Sequence, residues 1–179
     1  MILKLFRPRK VSNAGDALYA LAVEQARAPA FYLDLKVADR IDARFELYTL
    51  HVLLLAMRLR DEDRAEGRES GAHEGGDRAQ QLFDVYVSAL DNSLRELGVG
   101  DLSMSKKMRK LGEALYGRMT AYEKALRDQD AATLAAALAR NIYESDDAAL
   151  AASLAEYALA SRAVLAAQSF NAVITRPEW

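Results

Sequence analysis

The chain contains no cysteine. That excludes disulfides, thiolate metal sites and cysteine nucleophiles, and a reducing compartment is the natural expectation. Histidine is nearly as scarce, with two copies in 179 residues. Glu46 and His51 are five positions apart, which fits neither the Glu-x-x-His spacing of bundle di-iron sites nor a His-Glu-x-x-His zinc site. Long apolar runs are also missing. The longest, Val52 to Met57, is far too short to span a bilayer. The amino-terminal "MILKLFRPRK" lacks the apolar stretch and cleavage site of a secretory signal. Cytoplasmic residence is expected. The net charge of -2 gives no global attraction to nucleic acid or anionic lipid and leaves only local patches to consider; no DNA partner is expected.

Three prolines and an abundance of Ala, Leu, Glu and Arg favour helices. A chain of this length can bury roughly 70% of its unfolded surface in one domain. The pattern predicts an all-α, single-domain bundle of about six helices. It spans residues 13–175, after a basic arm at 1–12 and before a tail at 176–179. The first helix opens at Ser12 or Asn13 and stops at Pro29. "FYLDLKV" (31–37) alternates like a strand but has no partner strand, so an extended or irregular link is expected. The second helix, from about Asp39 to Arg60, repeats Ile41, Phe45, Tyr48, Val52, Leu55 and Leu59. Leu50, Leu53, Leu54 and Met57 lie off that stripe, which predicts burial on more than one side.

Residues 61–77 have an acidic excess, four glycines and no large apolar residue, and read as a flexible polar loop. Within them Asp61, Glu62 and Asp63 form a charge run that reads as solvated. A third helix capped by Asp77 carries Phe83, Val87, Leu90, Leu94 and Leu97. Gly98 stops it in the left-handed region, with Val99 as apolar cover. A fourth helix starts near Ser103 or Ser105, with Met108, Leu111, Leu115, Met119, Tyr122 and Leu126 inward. Asp130 and Thr133 open a fifth. "ESDD" (144–147) caps the last, which is marked by Leu150, Leu154, Tyr157 and Leu165.

The catalytic inventory is thin. His51 lies inside the central helix and reads more readily as a bonded core histidine than as a catalytic one. "GVGD" (98–101) lacks the third glycine of a dinucleotide fingerprint and the frame of a phosphate loop. Lys106, Lys107, Arg109 and Lys110 crowd the first turns of a helix, where positive charge opposes the dipole at roughly 0.3–1 kcal/mol each. Either nearby acids (Glu96, Asp101, Glu113) neutralise them, or they await an anionic partner. Gly112 and Gly117 inside a helix, the latter between Tyr116 and Arg118, point to close approach of another backbone or a ligand.

"LGVGDLSMSKKMRKLGEALYGRMTAY" (97–122) and "FYLDLKVADRIDARFELYTLHVLLLAMRLR" (31–60) resemble the two typical blocks of the ubiquinol–cytochrome c chaperone family, in its compact bacterial form. The resemblance implies an all-helical, non-enzymatic assembly factor for respiratory complex III, without cofactor or metal. It implies newly made cytochrome b as client, residence in the cytoplasm near the inner membrane, and contact with the ribosome. Client contacts are expected at Tyr48, His51, Val52 and Leu55, and at Val99, Met104, Met108, Tyr116 and Arg118. Gly98, Gly100, Asp101 and Gly117 would form the structural corner. Two other readings stand beside it. One is a helical small-molecule or lipid-binding protein with a pocket near His51. The other is RNA or ribosome binding through the basic cluster.

Overall fold

The computed structural model describes residues 13–65, 74–98 and 100–179. Its elements are α1 (Asn13–Ala26), α2 (Pro29–Leu33), α3 (Ile41–Ala65), α4 (Glu74–Glu96), α5 (Asp101–Asp128), α6 (Ala131–Ile142), a 3-10 turn (Ala148–Ala151), α7 (Ala152–Ala167) and α8 (Phe170–Thr175). Among the described residues there is no strand, and the bundle is all-α. It has two short helices beyond the expected set, α2 and α8.

Helix α3 is the axis. Every residue from Glu46 to Leu59 is buried, so this helix is surrounded, as its off-stripe leucines predict. It packs against α1, α4, α5, α6 and α7. Ile41 is the exception to the expected stripe and stands exposed at the first turn.

The alternating segment is not extended throughout. Pro29 takes the first position of α2, where its fixed φ suits a helix and its missing N–H costs nothing. Only Phe31 and Val37 of the alternating set are buried. The link after α2 turns at Lys36, whose φ is 58°.

Both ends of the expected polar loop are helical. Helix α3 continues through Ala65 and α4 begins at Glu74. The cap of α4 comes from the preceding helix rather than from Asp77. Asp63 accepts from the backbone N–H of Gly75 at 3.1 Å and of Gly76 at 2.7 Å, which satisfies two orphan amides. Nor is the rest of the acidic run merely solvated. Asp61 pairs with Arg127 and Arg162, and Glu62 with Arg58. Arg58 itself is buried and donates to the Leu165 and Gln168 carbonyls, tying α3 to the end of α7.

Gly98 ends α4 with φ 80°, the left-handed geometry of a helix stop. Helix α5 starts at Asp101, earlier than Ser103, with Gly100 as its N-cap residue. The start of α6 is as expected: Asp130 accepts from the Thr133 N–H. Asp147 likewise caps the 3-10 turn. That turn carries Leu150 outward, so Leu150 is exposed rather than inward.

The tail folds back. Gln168 exchanges two hydrogen bonds with the Glu178 backbone, and the Trp179 ring meets the His51 ring edge-on, 5.1 Å between centroids. By length and composition the stretch Ala148–Ala167 is apolar enough to cross a membrane; here Leu154, Ala155, Ala158, Ser161 and Leu165 of that stretch face the bundle.

Candidate functional site

Helix α4 carries more apolar surface than the core uses. Its buried line is Leu82, Tyr86 and Leu90. The stripe read from the sequence runs one position over, and most of it is not core. Phe83 and Val87 are half-buried, Leu94 likewise, and Leu97 is exposed. The same holds for the facing side of α5, where Leu111 and Met119 are only half-buried. Both helices lean on α3 and touch each other little, so their facing stripes do not close.

The result is two clefts flanking the α4–α5 seam. One is an apolar groove of about 480 Å³. Phe83 and Val87 of α4 and Leu115, Tyr116 and Met119 of α5 form its walls, Gly112 sits in the α5 wall, and Leu53 and Ala56 of α3 contribute to its lining. The volume is in the range of sites that take a small ligand or a few side chains. The second cleft, about 410 Å³, lies toward the other end of the seam. Leu90, Leu94, Leu111 and Leu115 line it together with Glu46, Arg118, Arg140 and Asn141.

The second cleft has a polar core that the sequence does not reveal. Glu46 is 8% exposed and pairs with Arg118 across the α3–α5 interface. Its Oε2 has no hydrogen-bond partner among the described residues. Burial pushes the Glu46 carboxyl up to about 7, against the pull of the Arg118 guanidinium. Nearby, Thr49 and Tyr86 hydroxyls share a hydrogen bond of 2.6 Å, and Asn141 donates to the Tyr122 hydroxyl at 2.9 Å. Burial raises the pKa of both tyrosines, so they stay neutral hydrogen-bonding groups.

His51 is fully buried with both ring nitrogens used. A carbonyl can only accept, so Nδ1–H donates to Leu47 O at 2.7 Å. Nε2 then accepts from the Tyr157 hydroxyl at 2.8 Å, and that hydroxyl accepts from the Gln25 amide. Phe31, Tyr157 and Trp179 enclose the ring. Burial lowers the imidazole pKa to about 4, with the Leu47 carbonyl opposing, so it is neutral at physiological pH. A solid aromatic cage surrounds His51, and neither cleft borders it. The expectation of a ligand pocket there loses its support. Among the described residues no three His, Asp or Glu side chains cluster as a metal site.

The other expected contact residues divide. Val52 and Leu55, like His51, are fully buried in the core, and a client could reach them only by opening the bundle. Both lie on the main apolar stripe of α3, which the surrounding helices cover. Tyr48 is buried too, its hydroxyl accepting from Arg27 Nε at 2.8 Å. Met104 is buried, and Met108 half-buried. Val99 lies outside the described residues. Of the described members of the set, Tyr116 alone is both exposed and in the groove wall. Arg118 belongs to the second cleft through Glu46. An added Cβ on Gly112 or Gly117 would meet nothing within 4 Å, so among the described residues no other backbone makes the expected close approach, and the space there is open. Lys106, Lys107, Arg109 and Lys110 are all exposed. Phe83, Val87, Met119 and Glu46 were not singled out as contacts; the surplus apolar stripe of α4 was the available signal.

A model of the ubiquinol–cytochrome c chaperone family matches residues 33–178. The chain belongs to this family. The fold agrees. The crystal structure of the Cbp3 homolog from Brucella abortus superposes with a TM-score of 0.78 at 34% identity, over 100% of this chain and 97% of that one. No match was found among curated proteins. The matched region contains both clefts and the whole of α3, α4 and α5, so the family assignment covers the unclosed seam.

Proposed function

We propose that this chaperone is non-enzymatic and holds newly made cytochrome b during assembly of ubiquinol–cytochrome c reductase. It does so in the cytoplasm, at the face of the inner membrane. The observation that carries this reading is the open apolar groove between α4 and α5. A membrane-protein segment waiting to be assembled needs apolar surface to shield it, and a groove lined by flexible and aromatic side chains accepts varied shapes. Met119 supplies a polarisable, adaptable contact, and Tyr116 and Phe83 supply large apolar faces. An amphipathic or apolar helix laid into a groove is a standard mode of such recognition. The catalytic reading has little to draw on. His51 is neutral and caged, and Glu46 is engaged by Arg118.

Gly112→Leu tests this directly. The substitution is sterically open at its Cβ and replaces a poor helix former by a good one, so the fold should be kept. The leucine side chain should then occupy the groove. Cells carrying the variant in place of the wild type should lose assembled complex III and its b-type haem spectrum. Normal complex III with a stably produced variant would refute the groove as client site.

A further inference from the structure

We propose that the outward face of α5 docks the protein onto an anionic lipid surface. Leu102, Lys106, Arg109, Glu113 and Tyr116 follow one another at three- and four-residue intervals, so at about 100° per residue they form a single line along the helix. Lys110 lies beside it, and Lys107 further round the helix. From Leu102 to Tyr116 the line is roughly 21 Å long. Its two ends are apolar and fully in solvent: Leu102 is 105% exposed and Tyr116 76%. Between them stand four cations and one acid.

Nothing in the fold accounts for that face. Elsewhere the described cations are extensively paired, as with Arg40, Arg44, Arg58, Arg60, Arg78, Arg95, Arg118, Lys124, Arg127 and Arg162. None of Lys106, Lys107, Arg109 and Lys110 forms an ion pair among the described residues, with Glu96 and Glu113 or with any other acid; the Asp101 side chain lies outside the described residues. They also sit in the first third of a helix, where the dipole disfavours them. Four cations without an ion pair among the described residues, in a chain of net charge -2, concentrate positive potential on one short stretch of α5.

The apolar ends decide the partner. A nucleic acid would meet the cations but has no use for a bare leucine, and no aromatic platform for bases lies among the lysines. A bilayer surface uses both. Lysine and arginine reach anionic headgroups along their apolar stems, leucine enters the acyl boundary, and tyrosine rests at headgroup depth. Tyr116 also forms part of the groove wall, so docking by this face would set the groove at the membrane surface. The membrane-protein client proposed above gives that placement its purpose, but the docking itself does not depend on it.

Flotation of the full chain with vesicles tests the proposal. The wild type should float with phosphatidylglycerol–phosphatidylcholine vesicles, not with phosphatidylcholine alone, and should be released as salt rises. A juxtamembrane lysine contributes about fivefold in partitioning, so Lys106→Ser with Lys110→Ser should lower it about 25-fold. The arginine pair at the same positions should restore it. Leu102→Ser should weaken binding with the salt dependence kept. All three positions are exposed, and circular dichroism melts should be unchanged. Equal flotation with neutral vesicles, no flotation, or undiminished binding of the serine pair would overturn the proposal. So would salt-sensitive sedimentation with ribosomes through the same lysines in a protein that does not float. A client defect in Gly112→Leu with normal flotation separates the two readings.

Discussion

Replacing Glu46 by glutamine should change how stability depends on pH. In the folded chain the Glu46 carboxyl is raised from 4.5 to about 7 because burial outweighs the Arg118 counter-charge. A folded-state pKa above the unfolded value means that the native state binds the extra proton between pH 4.5 and about 7. Stability from this group is therefore fully present below pH 4.5 and is lost as pH rises through 7. At about 1.4 kcal/mol per decade of proton affinity, the whole displacement is at most about 3 kcal/mol. Glutamine cannot titrate, so the variant lacks this loss. Urea unfolding of both proteins from pH 4.5 to 8 isolates the group, because Asp42, Arg118, Tyr86 and Tyr122, the other groups acting on it, are common to both. The stability of Glu46→Gln relative to wild type should rise with pH by up to about 3 kcal/mol. Arg118→Leu should move the wild-type window higher by removing the counter-charge. It should also cost stability, about 2 kcal/mol near neutral pH. A fully buried pair broken on one side costs about 3–5 kcal/mol, and the Arg118 side chain is 32% exposed. Parallel curves for wild type and Glu46→Gln would refute the assignment of a buried, raised carboxyl at this position.

His51 should show the opposite sign. Its pKa is lowered from 6.5 to about 4 by burial, so its contribution is present above pH 6.5 and lost as pH falls through 4. His51→Gln should flatten the acid limb of the unfolding profile between those values; an unchanged limb would contradict the caged geometry. The glycines should separate by environment. Gly117→Ala should stabilise by about 0.5–1 kcal/mol, as expected for an unobstructed helical position. Gly75→Ala should destabilise by more than 1 kcal/mol, since its Cβ would lie 2.0 Å from the Leu59 carbonyl oxygen; thermal melts distinguish the two directions.

Local chemistry was legible from the chain and tertiary chemistry was not. Gly98 and Asp130 announce themselves because a left-handed stop and an N-cap are decided within four residues. The burial of α3 follows from leucines off its main stripe. The Glu46–Arg118 pair joins residues 72 positions apart, and no periodicity carries that information. The acidic run at 61–63 looked solvated for the same reason: Arg127 and Arg162 reach Asp61 from distant helices. On α4 the sequence shows a wide apolar face but cannot divide it. Leu82, Tyr86 and Leu90 turn to the core while Phe83 and Val87 turn to an open groove, and only the positions of α3 and α5 decide which is which. His51, Val52 and Leu55, expected among the client contacts, lie on the surrounded helix α3 and form the axis of the core.

The central claim is that the α4–α5 groove receives cytochrome b. Photo-crosslinkers placed at Phe83, Tyr116 and Met119, with one on the exposed Leu150 as control, measure it most directly in membranes synthesising complex III. Capture of newly made cytochrome b from the three groove positions and not from Leu150 is the result expected. Capture from Leu150 alone, or from none of the groove positions while complex III is being assembled, would contradict it.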